Sequence, residues 1–295
     1  MLRHAFTVID PGSRSMFIDR GRPGYAHLGV SSSGAADPDS YALANRLVGN
    51  DVGLTALEVL LGGLVLHAET AVRIALTGAP RLVQLNRIPV AMNAPLTTNE
   101  GDVLSVGSAG PGHGVGVYTY VAAYGGFIAA RALGSASTDL LGGIGPSPLA
   151  IADKLEVGRA MARHLVAVDI APVRPTADPV TLHVLDGPRR DRFARNAIDQ
   201  LCRSVYTVTS LSSRVAIRLD GAPIERTDHG ELASEGTVAG AVQIPPDGQP
   251  IVFGPDHPTT GGYPVIAVVI ASDLGAAAQA HPGTRISFVR ARPRA

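Results

Sequence analysis

Short apolar runs recur along the chain, each bounded by Gly, Pro, Asn or Asp. Val72–Leu76, Val103–Val106, Val115–Val121, Val180–Leu185 and Val265–Ile270 are rich in branched residues and have the length of strands. The segments opening at Glu100, Ala152 and Pro282 each run from a turn into alternating apolar and polar residues, as barrel or sandwich strands do. The pattern predicts a mainly β chain with a few short helices. The first helix is expected between Asp37, an N-cap followed by Pro38, and the stop at Gly49. Tyr41, Leu43, Ala44, Leu47 and Val48 form its apolar face, with Asn45 at the edge of that face and pointing to a pocket rim. A second helix is predicted over Arg190–Leu201, where Phe193, Ala197 and Leu201 lie four apart. A third is predicted over Asp273–Ala280, stopped by Pro282-Gly283.

A weak echo suggests two related halves. Gly125-Gly126-Phe127 precedes an apolar stretch and Ser137-Thr138-Asp139-Leu140; Gly261-Gly262-Tyr263 precedes another and Ser272-Asp273-Leu274. The proline-rich stretch 169–179 lacks periodicity and is the best linker. The reading is two β-barrel-like domains, 1–170 and 180–295, with room for strand exchange between them.

Composition narrows the function. The chain has 295 residues, 45% hydrophobic and 17% charged, with no net charge, so it can bury a core and carries no nucleic-acid footprint. Its apolar runs are far too short for a spanning helix, and its first residues show no secretory h-region. One cysteine, Cys202, excludes an internal disulfide and fits a reducing compartment, so a cytoplasmic location is expected. Lys154 is the only lysine. No phosphate-binding GxxxxGK[ST] surrounds it, nor the methionines that flank a biotin-carrying lysine. The nine histidines show no zinc spacing, and the glycines of 110–116 lack the context of a dinucleotide loop.

Three segments concentrate polar chemistry. From Asp19 to Asp51, Arg20 and Arg22 flank Gly21, and Ser31-Ser32-Ser33-Gly34 leads to the helix capped by Asp37. This could hold a carboxylate or phosphate; a capped connection with solvent-facing arginines reads the same way. From 231 to 264, Pro245-Pro246-Asp247-Gly248 turns a hairpin, and Gln243 on its first strand needs a partner or ligand. Asp256, Thr259 and Thr260 then precede Gly261-Gly262, where backbone N–H groups can approach a substrate. Glu235 and Asp256 could form an acid/base pair if the fold joins them, or remain surface carboxylates. Arg214 and Arg218, on one face of an expected strand, would suit an anion or an exterior salt bridge.

Together these stretches resemble one family. The motifs are Asp19–Tyr25, Leu28–Asp37, Ala44–Asn50, Ala56–Glu58, Ser234–Gly236, Gly240–Ile251 and Thr259–Leu274. They are similar to the 5-oxoprolinase C-subunit family, also labelled allophanate hydrolase subunit 2, KipA-like or biotin-dependent carboxyltransferase family. The carboxyltransferase region of urea carboxylase belongs with it. The resemblance implies two cyclophilin-like β-barrels. It also implies an ATP-dependent complex with a B-subunit partner and a lactam-opening A-subunit partner, in which 5-oxoproline becomes glutamate. ATP would be shared with those partners, and no biotin would be attached to this chain. A urea- or allophanate-type carboxyltransferase or hydrolase component and a non-catalytic regulator of a B-subunit homologue are the alternatives. By analogy Arg22 and Arg214 would hold an anionic group. Asn45, Gln243 and Thr260 would position an amide, and Glu235 or Asp256 would move protons. Asp37, Arg218, Thr259, Gly261 and Gly262 complete the expected binding set. The chain departs from the family pattern at Ala136, where arginine is common, at Ser213 and at Pro258.

Overall fold

The structure, a computed structural model, describes residues 3–109, 116–159, 170–172, 178–227, 230 and 232–291. It falls into two compact units. One comprises Met1–Arg22 with Ser33–Arg174, the other Pro23–Ser32 with Pro175–Ala295. Each described strand pairs within its own unit.

The first unit is built from two sheets. One has seven strands in the order Phe127–Ile128, Lys154–Val157, Arg3–Pro11, Leu64–Ala68, Val103–Val106, Val83–Leu85, Ile88–Val90. The other has five: Arg14–Ile18, Ala56–Leu60, Tyr118–Ala123, Val72–Gly78, Pro95–Thr98. Phe6, Leu57, Leu66, Ile74, Leu104 and Val121 meet in their common core. Alternation is kept in Leu64–Ala68 but lost in Tyr118–Ala123, where every residue is buried. The cause is the helix α1, Pro38–Val48, lying against this sheet. Tyr41 meets Tyr120 edge-on at 6.3 Å, and Thr77 Oγ1 donates to the Ser40 carbonyl at 2.6 Å. The helix begins and ends as its sequence predicts. Asp37 accepts from Ser40 N at 3.1 Å, and Gly49 takes the left-handed conformation (φ 87°).

The second unit contains a closed seven-stranded barrel. Its strands run Val180–Asp186, Val265–Val269, Ala241–Gln243, Ile251–Phe253, Ala216–Asp220, Val205–Val208 and Arg285–Arg290, which returns to the first. That closing pair is parallel and the other pairs are antiparallel. Val180, Leu182 and Val184 face inward while Thr181, His183 and Leu185 face out. Tyr206 and Phe288 meet inside at 5.9 Å, and such fully buried side chains contribute about 1.5–3 kcal/mol each. The hairpin forms as predicted: Gly248 N donates to the Pro245 carbonyl at 3.0 Å, and Gln243 pairs with Ile251.

Two helices are shorter than predicted. The second, α2, spans only Ala197–Arg203, after a 3-10 turn at Arg190–Arg192. Phe193 separates them in an extended conformation, bridging to Arg226 and burying its ring. The third, α3, is Leu274–Ala278, because Asp273 turns its carboxylate to His183, whose N and Nδ1 lie 2.7 and 2.8 Å away.

An ion pair clamps the parallel closure. Arg290 Nε donates to Asp186 Oδ1 at 2.9 Å, and these hydrogen bonds hold the Asp186 carboxyl below the usual carboxylate range. A carboxylate with a lowered folded-state pKa adds stability above its unfolded value, about 4, and loses it as pH falls through the folded one. Arg290→Ala is therefore expected to lower the melting temperature at neutral pH, with the gap to wild type closing below about pH 4. A gap that stays constant across an acid titration of melting curves would exclude the clamp.

Candidate functional site

In the first unit, the segments Asp19–Arg22 and Ser33–Asp37 are organised by two buried acids. The Asp19 side chain accepts from Gly21 N (2.8 Å), Ser135 Oγ (2.5 Å), Ser137 Oγ (2.8 Å) and Ala136 N (2.8 Å). Arg22 is 1% exposed. Its Nε donates to the Ala132 carbonyl at 3.3 Å and its Nη2 to that of Ser137, whereas Nη1 is buried without a hydrogen-bond partner among the described residues. Glu58, also buried, accepts from Ala36 N at 2.9 Å and from Tyr120 Oη at 2.7 Å, and Tyr120 Oη in turn accepts from Asp37 N at 2.8 Å. Burial first, then the neighbouring carboxylates of Glu58 and Asp37, push the Tyr120 hydroxyl well above its ordinary pKa. It stays protonated and serves as a fixed donor.

Asn45 lies inside the fold rather than at a rim. It is fully buried, its Nδ2 donates to the Leu54 carbonyl at 2.9 Å, and its Oδ1 accepts from Asn50 at 2.8 Å. The side-chain amide thus ties the end of α1 to the following turn.

The second unit gathers most of the other expected residues. Two-residue strands Glu235–Gly236 and Thr260–Gly261 pair antiparallel, with Glu235 opposite Gly261. Thr237 N donates to the Thr259 carbonyl at 3.0 Å. Gln243 approaches from the barrel strand: its Nε2 donates to the Tyr263 carbonyl at 3.0 Å, and a Cβ on Gly261 would stand 2.7 Å from that nitrogen. Thr260 and Gly262 are exposed, so the segment is presented outward.

Each of the two carboxylates expected as an acid/base pair is bound to its own arginine. Asp256 takes both prongs of Arg214, Nε to Oδ2 at 2.7 Å and Nη2 to Oδ1 at 3.0 Å, with the side chains 0% and 1% exposed. Glu235 is gripped by Arg189, whose Nε donates to Oε2 at 2.9 Å. Arg214 and Arg218 do not share a strand face. Arg214 sits in the bend before Ala216–Asp220, drawn inward by Asp256, while Arg218 lies on that strand and is exposed. The turn between the paired strands Val205–Val208 and Ala216–Asp220 breaks the alternation assumed from spacing.

Asp19, Glu58, Tyr120, Arg189, Thr237 and His257 carry no signal in the sequence that marks them as site residues. Asp19 and Glu58 stand inside the motifs quoted above, but nothing in their spacing announces their partners. Among the described residues no group of three or more His, Cys, Asp or Glu is placed to hold a metal ion. No described helix is long and apolar enough to cross a membrane.

A mainly β chain with a closed barrel, an outward-facing Thr260 and Gly262, and a buried Arg214–Asp256 pair just ahead of them in the chain has the build of a carboxyltransferase-type domain. The family model "Carboxyltransferase domain, subdomain A and B" matches residues 28–290, and the chain belongs to that family. It is 36% identical over 286 residues to the C subunit of the 5-oxoprolinase of Escherichia coli (strain K12), covering 96% of this chain and 90% of that protein. It is 32% identical over 313 residues to the urea amidolyase of Lachancea kluyveri, covering 97% of this chain but only 17% of that protein. The crystal structure of the Kluyveromyces lactis urea carboxylase matches with a TM-score of 0.89 at 30% identity, covering 99% of this chain and 28% of that one.

Proposed function

We propose that the chain is the C subunit of an ATP-dependent 5-oxoprolinase complex. It would act in the cytoplasm with a B-subunit relative and a lactam-opening A-subunit partner to convert 5-oxoproline to glutamate. The observation that carries this reading is the near end-to-end match to a free-standing 5-oxoprolinase chain, against a small fraction of the urea amidolyase.

The site in the second unit suits a lactam. Gln243 commits its Nε2 to Tyr263, and its Oε1 accepts from no described residue, which leaves it for a lactam N–H. The exposed Thr260 hydroxyl and the Gly261-Gly262 backbone can meet the lactam carbonyl and carboxylate. The Arg214–Asp256 and Arg189–Glu235 pairs hold the two sides of this segment, while in the first unit Arg22 binds the Ala132 and Ser137 carbonyls, Asp37 caps α1 and Asn45 ties the far end of α1 to the following turn. Arg218 is left to solvent. ATP would rest on the partner chains; the one lysine, Lys154, is exposed opposite Thr7 on a sheet strand.

The likeness to urea carboxylase supports a second reading, a carboxyltransferase component acting on urea or a related amide. The deciding experiment co-purifies this chain with its B-subunit relative, supplies the A-subunit partner, and follows ADP and glutamate. Coupled release that requires 5-oxoproline is the expected result. Turnover only with urea, bicarbonate and a biotinylated carrier would select the second reading. A stable complex inert in both assays would mark a regulatory binding role.

A further inference from the structure

Where the helix expected over Arg190–Leu201 gives way, the second unit has a cavity. The 3-10 turn Arg190–Arg192 and the helix α2 flank Phe193 in the chain, and its extended backbone (φ −130°, ψ 159°) carries the ring into the barrel core. The cavity has a volume of about 470 Å³. That is the size of a small-molecule site, and such sites recur at the mouths of barrels. It lies past the end of strand Val180–Asp186 and beside Ile266, near the start of Val265–Val269. Its apolar lining includes Phe193, Ile198 and Ile266, which are 6%, 3% and 1% exposed and belong to the barrel core. Ala194 also lines it and is exposed, placing a methyl group where a longer side chain would fill the space.

The polar part of the lining is cationic on balance. Residues 187–198 hold four arginines against one acid, Asp191. Arg190, Asp191 and Arg195 line the cavity, and all three are exposed. Arg195 makes no ion pair or side-chain hydrogen bond with any described residue. Arg190 donates from Nη1 to Asp186 Oδ2 at 2.7 Å, but Arg290 holds that carboxylate as well, through Nε and Nη2. Asp191 stands 3.9 Å from the Arg192 guanidinium, which offsets its charge. The chain thus leaves planar guanidinium donors open beside an apolar wall, and such forks match a carboxylate.

We infer that this cavity is a binding site for a small organic acid with an apolar body. None of its lining residues belongs to the Gln243 or Thr259–Gly262 site, and the inference does not depend on the reaction proposed above. The carboxylate takes the Arg195 fork with Arg190 beside it, and the hydrocarbon part lies against Phe193, Ile198 and Ile266. Both features of the ligand are needed. A bare anion leaves the apolar wall wet, and a neutral body leaves the guanidinium donors to water.

The test uses hexanoate as the probe on the full chain, with isoleucine methyl groups labelled for NMR. The Ile198 and Ile266 methyl signals are expected to shift saturably. Acetate lacks the body and hexanamide lacks the charge, so each should bind about tenfold more weakly or worse. Arg195→Gln should weaken hexanoate about tenfold at an unchanged melting temperature, because the side chain it replaces is exposed and unpartnered among the described residues. Arg203→Gln, at an exposed position of α2 outside the lining, should bind as wild type does. Ala194→Leu fills the cavity from its wall and should abolish the shifts. If that variant fails to fold, the arginine variants and the two control ligands decide alone. No saturable shift at about 20 mM hexanoate, where an ordinary ligand of that size is half bound, overturns the inference. So does hexanamide binding as tightly as hexanoate, an Arg195→Gln affinity equal to wild type, or an equal loss in Arg203→Gln.

Discussion

Asp256→Ala is expected to destabilise the second unit by about 3–5 kcal/mol, because it strands the Arg214 guanidinium in an interior from which water is excluded. That corresponds to a fall of roughly 10–20 °C in melting temperature for a domain of this size. The pair is bidentate and both side chains are almost wholly buried, so the usual small value of a surface ion pair does not apply. The backbone adds to the coupling: Asp256 N donates to the Arg214 carbonyl at 3.2 Å and Gly254 N to that of Val215 at 2.9 Å, which zips the two bends together. Replacing both partners by apolar residues of similar size, Arg214→Met with Asp256→Leu, should recover most of the loss, since two desolvation penalties vanish with the attraction. Urea denaturation of the three variants measures this. A cost under about 1 kcal/mol for Asp256→Ala would mean that water reaches the pair. The result also governs how activity is read. Both oxygens of Asp256 are occupied by guanidinium donors, so a dead Asp256→Ala enzyme reports lost structure until its folded fraction has been measured.

What could be read from the sequence was local. The α1 helix was legible to the residue because Asp37, Pro38 and Gly49 act within one turn of their own positions. The hairpin at Pro245–Gly248 was legible for the same reason. The helix predicted over Arg190–Leu201 failed at Phe193, which reaches the barrel interior through an extended backbone. Spacing by four allows that burial equally well, so the pattern could not choose. The echo between Gly125–Leu140 and Gly261–Leu274 does not carry into structure. Gly125 and Gly126 turn with positive φ, and Ser135–Ser137 serve an acid from an irregular loop. Gly261 lies on a strand, and Ser272-Asp273 leads into a helix. The candidate site was legible as a set of motifs but not as a set of partners. Arg214 finds Asp256 at a separation of 42 residues, and Asp19 finds Ser135 at 116. Such pairings are made by the fold and leave no period in the chain.

The same long reach makes Asp19 the second position of large expected effect. Asp19→Ala removes the acceptor of four close donors, from Gly21, Ser135, Ala136 and Ser137, and of the Arg131 guanidinium at 3.4 Å. Each buried donor left without a partner costs about 1–3 kcal/mol, less where water can follow, so a total of roughly 3 kcal/mol or more is expected. Asp19→Asn distinguishes shape from charge. Its Oδ1 could still accept, but an amide NH2 in place of Oδ2 would face Ala136 N and Arg131, donor against donor. The asparagine variant should therefore lie closer to alanine than to wild type. Equal stability of Asp19→Asn and wild type in urea titrations would show that no negative charge is needed. Hydrogen exchange locates the damage, since Ala136 N loses its acceptor directly. The same segment holds Arg22 through the Ala132 and Ser137 carbonyls. Loosening it releases the Arg22 guanidinium, whose Nη1 is buried without a hydrogen-bond partner among the described residues. A loss of complex activity larger than the loss of folded protein in Asp19→Ala is then the expected sign that the loop works by positioning Arg22. Losses that match would leave Asp19 and Arg22 as supports of the fold alone.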